Sequence, residues 1–471
     1  MTLLDLVVAL WPSYSVLKKK FPLPPGPTGY PLIGNVFDMP SSQAWRTFAE
    51  WGEKYGGIVS VTLLRQPYII INDSAIATSV LGGGGNAYAD RPTFEMANIC
   101  GWDRVLSRFR EYRKLIGRVI GSRVSMEKFH DMEEYHANML LKRVLEDPEA
   151  FESAIRKSMG ALILQLAYGY RIKENGSDPI VDLVDRGMRQ FSDAMRPGKF
   201  LVDVLPILKY IPSWFVRRLL YMPFIPRVNY LRFPGAGFQH SQEVSPYMYG
   251  GSRYPPYLSF KEQIVCIQSE SQSSAGSRKS RQSYTADLLS QPNLSEEQYL
   301  NIKWSAASFI WAEQILQYPL VIAYFLAATK PEMDRVVGGA RLPTLDDRAS
   351  LPYTEALCHE LRRWLTIVPL GHPHRAMQDD VNAIVIPNVW QFMHDPAVYR
   401  KPFLCMHLAD VSIWICVAKA VAGLTISRAL DENGAPIDPI VDITDGIVSC
   451  TVKPRSEQVL EWIEEATRAT T

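Results

Sequence analysis

The sequence predicts a mostly helical protein that also contains a small β-sheet. Most segments between residues 111 and 196 repeat their apolar residues at the spacing of amphipathic helices, whereas residues 59–71 read as two short strands. Hydrophobic residues make up 47% of the 471 residues and charged residues 21%, a composition typical of globular proteins. A chain of this length can bury a large core, as one large domain or two ordinary ones.

Charge and cysteine content argue against two classes of protein. The formal net charge of +1 gives no reason to expect nucleic acid as a partner. The six cysteines form no close pairs and no metal-binding knuckle, which favours a reducing, cytosol-facing environment over a secreted disulfide scaffold. Cys358 and Cys416 fall within apolar helical patterns and are predicted to be buried thiols.

Residues 1–20 predict a short N-terminal membrane anchor. Residues 3–17 are mostly apolar, and three lysines follow at positions 18–20. A helix that spans a membrane needs about 20 apolar residues, so this stretch is short for a full crossing. Because the lysines lie on the C-terminal flank, they favour a short or interfacial anchor with a cytoplasmic body over a cleaved signal peptide. Residues 21–35 are rich in proline and predict a stiff, extended hinge.

The body of the protein, residues 36–471, is predicted to begin with an amphipathic helix over residues 41–57. Two strands, residues 59–63 and 68–71, follow around a turn at Gln66 and Pro67. Ser295 and Gln298 have the spacing of a capping box and predict the start of a helix there. Further helices are predicted over residues 111–122, 125–147, 150–169, 178–196, 355–364 and 408–424.

Two segments of the body lack the pattern of a packed core. Residues 216–233 are basic and aromatic, with prolines that interrupt helical periodicity, and residues 265–282 are serine-rich and polar. One interpretation is a substrate-access loop together with a flexible insert. The other interpretation is that both are peptide translated from retained introns.

The most informative residues lie between positions 352 and 414. Glu360 and Arg363 are three residues apart, so their side chains leave the same face of the predicted helix and can form an ion pair. We predict that this pair is buried and structural. It is followed by the segments Pro369-Leu370-Gly371-His372-Pro373-His374-Arg375, His394-Asp395-Pro396 and His407-Leu408-Ala409-Asp410. In this order the segments closely resemble the C-terminal half of fungal cytochromes P-450, the haem-thiolate monooxygenases.

The resemblance implies a fold, an activity and partners. The fold would be a cytochrome P-450-like single domain, mostly α with a small β-sheet, and incomplete in this chain. The activity would be haem-dependent hydroxylation of an apolar small molecule in fungal secondary metabolism, with haem b iron as cofactor. Electrons would come from an NADPH-dependent membrane reductase. The protein would be held at the endoplasmic reticulum membrane with its body facing the cytosol.

Several residues match positions that serve the haem in this family. Arg113 resembles the basic residue of the helix along one haem edge, and His374 with Arg375 resembles the second contact to the haem propionates. Arginine suits this task because it is always charged and can bind a carboxylate through two parallel hydrogen bonds. Cys405 is the one thiol near the position of the axial iron ligand, although it is equally an ordinary cysteine of a shortened linker.

Two departures from the family pattern bear on activity. Residues 400–407 contain no glycine, so the glycine-rich loop that presents the thiolate to iron cannot form in its usual way. Residues 309–319 contain neither the glycine pair nor the acid followed by threonine that serves oxygen activation, and no catalytic residue is assigned. The alternative function is therefore an inactive, truncated or mis-spliced relative that does not bind haem.

Overall fold

The computed structural model describes residues 23–63, 66–99, 109–184, 201–203, 210, 283–309, 330–364, 370–376, 383–387, 406–428 and 450–468, apart from a few positions within these ranges. The chain divides into two compact units. The first, here called the sheet unit, contains the described residues up to Glu95, those between 201 and 210, and those between 370 and 387. The second, the helical unit, contains the other described residues.

The described residues form the following elements. The α-helices are α1 (Ala44–Tyr55), α2 (Ser74–Ala77), α3 (Glu95–Ile99), α4 (Phe109–Ile120), α5 (Arg123–Met126), α6 (His130–Glu146), α7 (Phe151–Tyr168), α8 (Tyr284–Leu289), α9 (Glu296–Ala307), α10 (Lys330–Val336), α11 (Pro352–Trp364), α12 (Met406–Gly423) and α13 (Glu457–Arg468). The strands are β1 (Ile58–Leu63), β2 (Gln66–Ile71), β3 (His374–Arg375), β4 (Ile384–Pro387), β5 (Leu424–Arg428) and β6 (Cys450–Pro454). Short 3₁₀ turns lie at Gly85–Tyr88, Glu127–Phe129, Leu201–Asp203 and Leu345–Ser350, with a π-helical turn at Thr78–Gly83.

The sheet unit is built on a four-stranded sheet with the order β1-β2-β4-β3. Strands β1 and β2 form the predicted antiparallel hairpin, and β4 joins β2 in parallel with Tyr68 opposite Ile384. Strand β3 pairs with β4 in antiparallel, which places His374 opposite Val385. Alternate apolar residues of the sheet form one core with Phe48 of α1. The predicted helix over residues 41–57 and the predicted hairpin are thus confirmed.

The turn of the hairpin lies earlier than the sequence predicts. Gln66 and Pro67 belong to β2, where they lie opposite Leu63 and Thr62 of β1. Proline cannot donate a hydrogen bond to a neighbouring strand, which made a turn the simpler prediction. The strand tolerates Pro67 because β4 pairs with β2 only from Tyr68 onward, so among the described strands none pairs with the proline on that side.

The helical unit is organised around α6, which packs against α7, α12 and α13. Helix α12 is buried at every residue from 410 to 423, and β5 follows it directly to pair with β6. Ser295 caps α9 as predicted, because its Oγ accepts from Gln298 N at 3.2 Å while Gln298 Oε1 accepts from Ser295 N at 2.8 Å. The prediction of a mostly helical protein with small sheets is confirmed.

Some predictions concern residues outside the described part of the chain. These are the membrane anchor at residues 1–20, the atypical segments 216–233 and 265–282, most of the helix over residues 178–196, and Cys405. The domain boundaries also stay predictions. Among the residues that the structure describes, no helix is long and apolar enough to cross a membrane.

Candidate functional site

The predicted propionate contact Arg375 lies in β3 of the sheet unit, where it is bound to Asp90. Arg375 Nε donates to Asp90 Oδ2 at 2.5 Å, and an ion pair joins the same two side chains. The backbones also meet, with Arg375 N donating to Asp90 O at 2.9 Å. The guanidinium therefore already has a carboxylate partner within its own unit, and a haem propionate would have to compete with Asp90.

His374, the other half of this predicted contact, lies in surroundings that favour the neutral imidazole. Its Nδ1 lies 2.7 Å from Tyr88 O, and because a carbonyl can only accept, Nδ1 carries the proton. Burial lowers the pKa of His374, the nearby charge of Arg91 lowers it further, and the hydrogen bond to Tyr88 opposes both. Arg91 is held there because its Nη1 donates to Pro373 O at 3.0 Å. A neutral ring offers no positive charge to a propionate.

Arg113, the first predicted propionate contact, lies on α4 in the helical unit and is exposed. The buried residues of this helix are Tyr112, Ile116, Val119 and Ile120. They occupy the face at positions three, four and seven residues apart, as an amphipathic helix requires. Arg113 lies beside this apolar face rather than on it.

The predicted burial of Glu360 is wrong, because Glu360 is exposed on α11. The buried face of this helix consists of Thr354, Cys358 and Leu361, spaced four and three residues apart. Glu360 lies outside that face, and the side chain of Arg363 lies outside the described residues. The structural role of the Glu360–Arg363 pair stays a prediction.

Within the helical unit, another arginine joins α11 to α12. Arg348 binds both carboxylate oxygens of Glu355, with Nε donating at 2.9 Å and Nη2 at 2.8 Å. The same Nη2 lies 2.8 Å from Asp410 Oδ2 on α12, and the guanidinium stacks 5.6 Å above the ring of Trp414. We call Arg348, Glu355 and Asp410 the clamp. Asp410 belongs to the segment His407-Leu408-Ala409-Asp410 singled out in the sequence, but no sequence pattern pairs it with Arg348.

Helix α9 matches the approach to the oxygen-activation helix of the family, and a tyrosine from α8 is bound to it. Tyr284 Oη lies 2.6 Å from Ser305 Oγ, and the Tyr284 ring contacts the Phe309 ring edge-on at 4.8 Å. Ser305 Oγ also lies 2.9 Å from Ile302 O. All three side chains are buried, so the end of this helix is tightly packed. Residues 310–319, where the motif departs from the family, lie outside the described residues.

The two buried cysteines of the helical unit do not fit the axial ligand of a haem-thiolate centre. Cys358 and Cys416 are buried free thiols, as predicted, and burial raises the pKa of Cys416 above its ordinary range. A buried, protonated thiol is not the thiolate that iron requires. Within the described ranges, no three His, Cys, Asp or Glu side chains are arranged to hold a metal ion.

Comparisons with known proteins give one consistent family. A family model described as cytochrome P-450 matches residues 24–223 and 325–404. Cytochrome P-450 monooxygenase 208 of Postia placenta is 38% identical over 92% of this chain and 91% of its own length. Cytochrome P-450 monooxygenase claR of Ampulloclitocybe clavipes is 31% identical over 97% of this chain and 91% of its own length. O-methylsterigmatocystin oxidoreductase of Aspergillus flavus is 30% identical over 84% of this chain and 76% of its own length.

The lengths of these alignments compare the size of this chain with that of its relatives. The alignment with monooxygenase 208 has 496 positions and that with claR has 518, whereas the whole chain has 471 residues. Both alignments therefore contain positions that the relative fills and this chain does not.

Proposed function

Because the chain belongs to the cytochrome P-450 family, we propose that its gene encodes a haem-dependent monooxygenase that hydroxylates an apolar small molecule in fungal secondary metabolism. The observation that carries this proposal is the 38% identity to a monooxygenase across 92% of the chain. The name of the relative from Aspergillus flavus supports oxidation of a small organic substrate. The family implies haem as the cofactor.

For the chain of 471 residues itself, we propose the alternative: a relative that does not bind haem. Residues 400–407 lack the glycines that let a thiolate approach iron, and the alignments contain positions that the chain leaves empty. Arg375 is bound to Asp90, and burial lowers the pKa of His374. These observations support loss of the centre while most of the surrounding fold is kept.

Both proposals hold for one gene if it has two transcripts. A transcript that restores a loop between codons 396 and 408 would encode the active enzyme, and the other would encode the shorter chain. Sequencing the fungal transcript across these codons identifies such a form. Both polypeptides are then expressed, and the reduced carbon-monoxide difference spectrum of each is recorded. We expect the thiolate band from the restored form and none from the shorter chain.

The shorter chain also provides a stringent control. A full-height thiolate band from it, lost in the variant Cys405→Ala, would overturn the proposal of an inactive chain and identify Cys405 as the iron ligand. A restored form that folds but gives no thiolate band would overturn the proposal of a monooxygenase.

We further propose that residues 1–20 hold the protein on the endoplasmic reticulum membrane with its body in the cytosol. The apolar residues 3–17 and the lysines at positions 18–20 support this orientation. Here an NADPH-dependent membrane reductase would supply electrons to the restored form. Deletion of residues 2–20 should move the protein from the membrane fraction to the supernatant, and an unchanged membrane-bound fraction would contradict the proposal.

A further inference from the structure

A buried carboxyl group lies between two central helices of the helical unit. Glu133 of α6 and Ser412 of α12 are each only 1% exposed. Glu133 Oε2 lies 2.7 Å from Ser412 Oγ, whereas Glu133 Oε1 is buried and has no hydrogen-bond partner among the described residues. An ionised carboxylate has room for about four hydrogen bonds, and burying it with so few is costly.

The position of the Ser412 hydroxyl indicates which side chain donates the hydrogen bond between Ser412 and Glu133. Ser412 Oγ lies 2.9 Å from Leu408 O as well as 2.7 Å from Glu133 Oε2. A hydroxyl has one proton, and a carbonyl can only accept. If Ser412 donates to Leu408 O, the short contact to Glu133 is a hydrogen bond only when the carboxyl group donates it. A protonated Glu133 therefore satisfies both contacts, and an ionised one satisfies only one of them.

We propose that Glu133 is held as a neutral carboxylic acid between α6 and α12, and that its ionisation makes the stability of this helix pair sensitive to pH. Burial raises the pKa of Glu133 to about 8, and the hydrogen bond with Ser412 only partly opposes it. This direction agrees with the proton that the geometry assigns to the acid.

The groups around Glu133 leave its burial uncompensated. On α12, Cys416 interacts electrostatically with Glu133 and with Cys358 of α11, and both thiols are buried. Lys419 of α12 is bound elsewhere, since its Nζ lies 2.7 Å from Asn138 Oδ1 and 3.8 Å from Glu134 Oε2.

On the other described helices that pack against α6, including the α7 cations Arg156 and Lys157, no charged group shifts the pKa of Glu133. On α7, Gln165 is bound to His136 and Ser158 to Arg143. The acidic residues of α13 are exposed, namely Glu457, Glu461, Glu464 and Glu465.

The pH window follows from the direction of the shift. The pKa of Glu133 is about 8 in the folded protein and 4.5 as an ordinary glutamate, so the folded state binds the extra proton between these values. The stabilisation that the neutral Glu133 contributes is therefore full below 4.5 and is lost as pH rises towards 8. His136 on the same helix acts with the opposite sign, because burial lowers its pKa from 6.5 to about 4, and its effect is common to the parent and the Glu133 variant. Burial lowers the pKa of Lys419 from 10.5 to about 8, so Lys419 acts only above that window and with the opposite sign.

The test uses urea unfolding of the purified full chain across this window. Within it, the equilibrium constant for unfolding should rise by up to about tenfold per pH unit relative to that of Glu133→Gln. Glutamine has the same shape and can donate to Ser412, but it cannot ionise. The matched control is Glu146→Gln, at an exposed position of the same helix, which should keep the pH dependence of the parent. A constant difference between the parent and Glu133→Gln across the window would overturn the proposal.

A second measurement needs no variant to fold. The infrared carbonyl band of a protonated, buried carboxylic acid should be present in the parent at neutral pH and should disappear as pH rises through about 8. Its presence supports a neutral Glu133, and in a folding Glu133→Gln protein it should be missing. A parent chain with no such band at neutral pH would overturn the proposal.

Discussion

Two buried carboxyl groups, Asp410 and Glu133, lie at α12 and have different kinds of partner. Asp410, 6% exposed, lies in the first turns of the helix and accepts from Arg348 at 2.8 Å. Glu133 reaches the helix two residues later, at Ser412, and no cation of the described part of the chain lies within hydrogen-bond distance of it. Both groups are buried, so burial alone does not decide how a carboxylate is stabilised. The two groups differ in their partners. Arg348 forms an ion pair with Asp410 near the start of α12, whereas Glu133 contacts the hydroxyl of Ser412.

The pKa of Arg348 shows how the clamp compensates for burial. Burial by itself would lower it, but hydrogen bonds and charge from Glu355 and Asp410 outweigh that effect and raise it. Burial raises the pKa of Glu133 to about 8, because the hydrogen bond with Ser412 lowers it by less than burial raises it. Each of the following substitutions tests one side of this comparison.

The largest effect is expected for Arg348→Ala. It leaves Glu355 and the buried Asp410 without the guanidinium that joins them, and breaking a buried pair costs about 3 kcal/mol of unfolding free energy. Urea unfolding of the purified chain measures the loss. The matched control is Arg341→Ala, because Arg341 binds Asp347 through two hydrogen bonds of 2.7 Å but is 49% exposed. Equal losses for both variants would contradict a special role for the clamp.

A smaller effect is expected for Ser412→Ala. It removes the hydrogen-bond partner of Glu133, which should cost about 1–2 kcal/mol of unfolding free energy as an unsatisfied buried polar group. Ser308→Ala is the control, since the Ser308 hydroxyl donates to a backbone oxygen, Ser305 O, at 2.6 Å. Its loss should be clearly smaller in the same unfolding experiment. A Ser412→Ala protein as stable as the parent would show that the hydroxyl does not stabilise Glu133.

Glu360→Ala should have little effect on stability. Because Glu360 is exposed on α11, any ion pair that it makes is screened by water and contributes less than about 1 kcal/mol. Thermal unfolding of this variant beside Arg348→Ala gives the comparison directly. A loss for Glu360→Ala as large as that for Arg348→Ala would restore the sequence-based expectation of a buried pair.

The smallest effect is expected at the pair of Arg341, which is exposed, and Asp347, which is partly buried. The hydrogen bond from Arg341 is the main cause that lowers the pKa of Asp347 from 3.8 to about 2. The pair therefore stabilises the fold above 3.8 and loses its effect as pH falls to about 2. At neutral pH we expect Arg341→Ala to cost about 0.5 kcal/mol. A carboxyl titration of Asp347 followed by NMR should shift towards 3.8 in that variant, and an unshifted titration would contradict the pairing.

Local patterns in the sequence predicted most of the described elements. The helices over residues 41–57, 150–169 and 408–424 correspond to α1, α7 and α12, and each has an apolar face or an apolar core that the period reveals. The capping box of Ser295 was found because its two hydrogen bonds join residues three apart. The turn at Gln66 and Pro67 was misplaced because the position of β4, far along the chain, decides whether a proline fits.

The candidate site was less predictable, since its residues were chosen by resemblance and their partners are distant in sequence. Arg375 was matched to a propionate contact, but in the structure its partner is Asp90, and the two are 285 residues apart. Glu360 was placed on a buried face by its spacing to Arg363. The period of α11 puts Thr354, Cys358 and Leu361 there instead. Spacing shows that two side chains share a face and leaves open which face the protein covers.

The sequence by itself determined the family, the helical and strand segments, and the burial of Cys358 and Cys416. These depend on motifs, periodicity and hydrophobicity, all of which are local properties of the chain. Only the tertiary structure decided which charges are compensated. Arg348 meets Asp410, 62 residues away, and Glu133 meets Ser412, 279 residues away, without a cation. The physical reason is that a charge is stabilised by the groups that packing brings within hydrogen-bond distance, and packing is a property of the whole helical unit.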